Sequence, residues 1–115
     1  MPIVSGFASP VLLMQHFTKH NPWDFHYQDA AEYLDKAKAF LEDDLAAIGA
    51  EECADPQSGD TIRYSAKTNE FAVVSTLGIL RTYYKPMPRH LAPPGWPAQK
   101  MHSQPTNYDY FRGNC

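Results

Sequence analysis

A chain of 115 residues, 43% hydrophobic with a net charge of −3, has the size of one domain and the apolar side chains for one modest core. No window approaches the ~18 apolar residues of a membrane-crossing helix. Residues 1–17 have no basic start before their short apolar patch, so they do not read as a signal peptide.

Charge is unevenly spread. Residues 1–60 carry three Lys or Arg against eleven Asp or Glu, whereas residues 61–115 carry seven against two. The back half therefore reads as a basic module joined to an acidic front half. Such a split suits a polyanionic ligand, and it equally suits a solvated surface with one acidic helix.

The first element is "SPVLLMQHFTKHNP". Ser9 can cap a helix, Pro10 fits its first turn, and Asn21-Pro22 stops it. "DAAEYLDKAKAFLEDDLAAIGAE" predicts a second, longer helix ending at Gly49, with Tyr33, Leu34, Ala37, Phe40, Leu41, Leu45 and Ile48 at helical spacing. Asp29 and Glu32 stand at the spacing of a capping box. After the turn "DPQSGD", the runs "TIRYS", "FAVVS" and "ILRTYY" are joined by short polar or glycine-containing links. That pattern predicts an antiparallel meander over 61–66, 70–75 and 79–84.

The expected fold is α+β: N-terminal helices over 9–49 packed on a small, twisted antiparallel β-sheet, all within one domain of residues 1–115. Phe71, Val73, Leu34, Phe40 and Leu41 are expected to share one core. Residues 86–106 hold six of the ten prolines and read as a long loop. Residues 107–115, with alternating aromatics, read as a returning strand or a tail. Cys53 and Cys115 form no CxxC pair and cannot make a zinc site alone. They read as two unrelated thiols, with a disulfide as the alternative in an oxidising compartment.

Two places could carry chemistry. His16 and His20 lie one helical turn apart. A zinc pair at that spacing lacks the HExxH glutamate and a third ligand, so no metal is expected. His20, at the helix end, is the better candidate for proton transfer, and a helix-face or helix-capping role is the plain alternative. In "ILRTYYKP", strict alternation puts Ile79, Arg81 and Tyr83 on one face and Leu80, Thr82 and Tyr84 on the other. Arg81 offers donors matched to phosphate oxygens, Thr82 and Tyr84 add hydroxyls, and Lys85 adds a point charge. The competing reading is an edge strand made soluble by its cations.

The order "HFTKHNPWDF", "AAEYLDKAKAFL", "GDTIRYSAKTNEFAVVSTLGILRTYYKP" and an aromatic-Cys tail resembles the C-terminal ribonuclease toxin domains of contact-dependent growth inhibition and other polymorphic toxins. These are similar to colicin D and belong to the wider barnase/EndoU/colicin/RelE-like group. The resemblance covers roughly residues 14–86 and is most specific in "RYSAKTNEFAVV" and "GILRTYYKP". It implies helices on a small sheet and metal-independent cleavage of RNA, often transfer RNA. It also implies a dedicated immunity protein and action in the cytoplasm of a target cell. His20 falls on the family's histidine, although Asn21 stands where members have glycine. Arg81, Thr82 and Lys85 fall on its Arg-Thr-x-x-Lys without a gap, and Tyr84 joins them. Arg63, Lys67, Arg89 and His16 are the further candidates for RNA contact. No cofactor is expected. The alternative function is a non-catalytic protein- or RNA-binding module.

Overall fold

The computed structural model describes residues 4–20, 27–98 and 101–115, without the side chains of Lys19 and His20. The chain is α+β. A five-stranded sheet carries β1 (Gly6–Phe7), β2 (Ala50–Ala54), β3 (Thr61–Ser65), β4 (Glu70–Val74) and β5 (Ile79–Tyr84) in the order β1-β5-β4-β3-β2. Strands β2 to β5 form an antiparallel meander, and β1 lies parallel beside the start of β5. The three expected strands are present. The helices are not the first elements of the fold, because β1 precedes them, and β2 was not foreseen.

Helices α1 (Pro10–His20) and α2 (Ala30–Glu42) cover one sheet face. Ser9 Oγ accepts from Leu12 N at 3.2 Å, so Ser9 caps α1. Asp29 caps α2 by accepting from Glu32 N at 2.9 Å, while Glu32 reaches back to Gln28 N. Helix α2 ends at Glu42, short of the expected Gly49. Its last carbonyls are taken by a side chain from the sheet: Arg63 Nη1 donates to Phe40 O at 2.8 Å and to Asp43 O at 2.7 Å. A cation at that end also complements the helix dipole. The residues after Asp43 turn into β2.

Side-chain alternation divides the core in two. Ala72, Val74, Leu80 and Tyr83 face α2 and pack with Tyr33, Ala37, Phe40 and Leu41. Phe71 and Val73 sit on the other face, with Ile62 and Tyr64. The expectation of one core containing Phe71, Val73, Leu34, Phe40 and Leu41 is therefore corrected: consecutive strand residues point to opposite faces, and both faces here are covered.

The second face is covered by α3 (Asn107–Asn114), where a strand or tail was expected. Thr106 Oγ1 accepts from Asp109 N at 3.1 Å, capping the helix, and Phe111 is fully buried between Tyr64 and its neighbours. Cys115 lies one turn beyond Phe111 on the same side. It is bonded to Cys53 of β2 across 62 residues, so the reading of two separate thiols is overturned. The proline-rich segment is not one open loop. It holds β6 (Met87–Pro88) and β7 (Met101–His102), paired in parallel, and a short 3-10 turn at Arg89–Leu91.

Candidate functional site

Strand β5 does not alternate strictly. Val73 pairs with Thr82 but Val74 pairs with Leu80, which leaves Arg81 as the extra residue of a β-bulge. The bulge lets Leu80 and Tyr83, three residues apart, both face the helices. Thr82 and Tyr84 then face the α3 side. The expected grouping of Ile79, Arg81 and Tyr83 on one face is corrected by this single inserted position. Arg81 is turned out to the surface, its side chain 55% exposed, with Nε 3.2 Å from Asp60 Oδ2. Strand β1 flanks only Ile79 and Leu80, so the outer edge of β5 from Arg81 onward has no sheet partner among the described residues.

Lys85 is half-buried just beyond β5. Four residues of extended chain separate it from Arg81, about 13 Å. Tyr84 Oη lies 2.5 Å from Tyr110 Oη, and its ring meets Phe71 edge-on at 5.4 Å. His20 ends α1, and its side chain lies outside the described residues, as do Trp23, Asp24 and Phe25.

The further RNA-contact candidates scatter. Arg63 is fully buried: besides the α2 carbonyls it holds Glu52 through Nε at 2.8 Å and Nη2 at 2.5 Å. Its guanidinium is committed to the fold, so the expected RNA contact is withdrawn. His16 is half-buried with its ring stacked on Phe7 at 4.7 Å. Lys67 is exposed in the β3–β4 turn. Arg89 is exposed and lines a cleft of about 320 Å³ with His102, Ser103, Gln104, Tyr110 and Asn114.

That cleft lies at the same end of the sheet as Tyr84, and its back wall is a hydrogen-bond chain that the sequence did not disclose. Asn69 sits in the left-handed region at φ 60°, a conformation asparagine tolerates better than most residues. Its Oδ1 accepts from Tyr64 Oη at 2.9 Å and Asn107 Nδ2 at 2.8 Å, and its Nδ2 donates to Pro86 O at 3.3 Å. One residue of the β3–β4 turn thereby ties β3, the exit of β5 and the start of α3. His102 Nδ1 accepts from Gln104 N at 3.2 Å, which puts the ring proton on Nε2, 2.7 Å from Asn107 Oδ1. The ring stacks on Tyr110 at 4.4 Å. With both nitrogens engaged, His102 is a positioning residue.

On the α2 side, Tyr83 donates to Glu70 and lies 3.3 Å from Tyr27 Oη. Burial first, then the Glu70 carboxylate, holds the Tyr83 phenol protonated far above the usual tyrosine range. Among the described residues, no three His, Cys, Asp or Glu side chains gather as metal ligands, and no helix is long and apolar enough to cross a membrane. No protein-family model matches the chain, and no curated protein matches it.

Proposed function

We propose that the protein is a metal-independent endoribonuclease, acting as the toxin of a toxin–immunity pair. The observation that carries this reading is the bulge at Arg81. It removes a cation from the sheet's alternation and leaves it more than half exposed, paired with Asp60 just before β3. The same bulge lets Leu80 and Tyr83 pack against the helices, and bulges are over-represented at sheet edges and next to active sites. Lys85 follows within about 13 Å along the chain, and the hydroxyls of Tyr84 and Tyr110 meet at that end of the strand.

In the reaction, a base takes the proton of an RNA 2'-hydroxyl, and the 2'-oxygen attacks the adjacent phosphorus. The bond from phosphorus to the 5'-oxygen breaks, and an acid gives that oxygen a proton. The products are a 2',3'-cyclic phosphate and a 5'-hydroxyl. Arg81 and Lys85 offset the charge growing on the phosphoryl oxygens, Thr82 assists through its hydroxyl, and His20 supplies the acid–base group. Transfer RNA is the substrate class that the toxin resemblance favours. In a target cell the enzyme works in the cytoplasm. In the producer an immunity protein with an acidic surface covers Arg81, Lys85 and part of residues 86–106.

The test incubates wild type, His20→Ala and Arg81→Ala with total RNA, with and without EDTA, and reads product ends. His20→Ala is expected to lower cleavage about 10²–10⁴-fold. Arg81→Ala is expected to lower it about 10²-fold, the low end for one charge-stabilising donor. EDTA is expected to change nothing. Products with 5'-phosphates, or activity lost in EDTA, would overturn the mechanism. Salt-sensitive RNA binding without cleavage would favour the non-catalytic module.

A further inference from the structure

The cleft at Arg89 is lined mainly by polar side chains. Among the described residues its lining has one cation, Arg89, and no carboxylate, in a chain with 13 Asp and Glu. Around the cation stand the hydroxyl of Ser103 and the amides of Gln104 and Asn114. A guanidinium beside a hydroxyl suits phosphate oxygens, and amide groups can pair with the edge of a base. The volume, about 320 Å³, is at the small end of ligand sites.

The walls are braced. His102 is pinned through both ring nitrogens and stacked on Tyr110. Asn114 Nδ2 donates to Tyr110 O at 2.7 Å, which holds its side chain back toward α3. The Tyr110 hydroxyl touches that of Tyr84, so the cleft adjoins the end of β5. A braced wall lowers the ordering cost of binding.

We infer that this cleft is a nucleotide subsite that takes a nucleoside 3'-phosphate: Arg89 and Ser103 hold the phosphate, and Gln104 and Asn114 meet the base. The inference rests on the RNA-cleaving reading for its choice of ligand, because a 3'-terminal phosphate is what remains once the cyclic product opens. It adds a specificity pocket beside the cleaving edge, with His102 as the residue that positions its wall.

The experiment titrates the four nucleoside 3'-monophosphates, and inorganic phosphate separately, into the 15N-labelled full chain at low salt. Amide shifts are expected at Arg89, Ser103, Gln104 and Asn114, with one base bound more tightly than the others. Arg89→Gln is expected to weaken binding about tenfold or more, the loss of one charge-assisted bond. Lys36→Gln removes the same charge from an exposed site on α2 and is expected to leave binding unchanged. Equal weakening by both variants, shifts elsewhere, or no binding would overturn the subsite. Inorganic phosphate binding as tightly as every nucleotide would overturn the base-reading part. Binding is read without turnover, so failure of RNA cleavage and failure of this cleft are separate results.

Discussion

Arg63 is a strand residue whose charge ends a helix. It stands opposite Glu52 in the β2–β3 register and reaches past it to the last carbonyls of α2. Removing it leaves Glu52 without its ion partner and two carbonyls without donors. Breaking a buried pair from one side costs about 3–5 kcal/mol. Arg63→Met is expected to lose about that much in urea unfolding, and adding Glu52→Gln should restore part of it; a loss under about 1 kcal/mol, typical of a surface pair, would refute the assignment. Tyr83 gives a second residue-level expectation, in pH. Its folded pKa is raised by burial and by Glu70. Below about pH 10 both folded and unfolded chains keep the phenol proton, so nothing is lost. Above it the unfolded chain releases the proton and the folded chain does not, so stability falls as pH rises, by about 1.4 kcal/mol per pH unit for this group. Tyr27 and Tyr64 are shifted the same way, chiefly by burial. Urea midpoints should therefore fall above about pH 10, and Tyr83→Phe should start lower, for want of its Glu70 bond, but fall less steeply. Equal slopes would show that Tyr83 titrates normally.

Among the elements, those with strong local signals were legible. Ser9 and Asp29 cap the helices they were expected to cap, and the meander strands lie where alternation and turn residues put them. What sequence did not disclose depends on contacts between distant segments. The stop of α2 at Glu42 needs Arg63, twenty-one residues on, and the face reversal within β5 needs a bulge that no residue type announces. Strand β2, "AEECA", has no apolar run and forms because β3 offers it a paired edge. Helix α3 could have been read. Thr106 and Asp109 stand at capping-box spacing, and Phe111 and Cys115 at i,i+4, but the alternation of Tyr108 and Tyr110 imitates a strand. The candidate site divides likewise. Arg81, Thr82, Tyr84 and Lys85 were visible as a motif, whereas Asn69, His102 and Tyr110 come together only through tertiary contacts.

At the scale of the whole molecule, the acidic and basic halves do not form separate modules. Strand β2 of the front half pairs with β3 of the back half, Glu52 meets Arg63, and Asp60 meets Arg81 across the same boundary. The Cys53–Cys115 bond closes the arrangement by tying the last residue of the sequence to the edge strand of the sheet. Its loop spans 62 residues, for which loss of chain entropy in the unfolded state amounts to about 4 kcal/mol. That is a large share of the roughly 5–15 kcal/mol that stabilises an ordinary domain. The folded state has other holds on α3: the Thr106 cap, the Asn69–Asn107 bond and the buried Phe111 ring. Reduction is therefore expected to act mainly on the unfolded chain, leaving the native packing in place. Thermal unfolding with and without a thiol reductant should show a midpoint lower by about 15 °C in the reduced protein, with the near-UV signal at 25 °C retained. The Cys53→Ser/Cys115→Ser double variant should behave like the reduced protein and be indifferent to reductant. An unchanged midpoint with both thiols shown to be free would mean that the bond adds nothing to stability. Loss of the near-UV signal on reduction would mean that the bond, rather than Phe111 and the cap, holds α3 on the sheet.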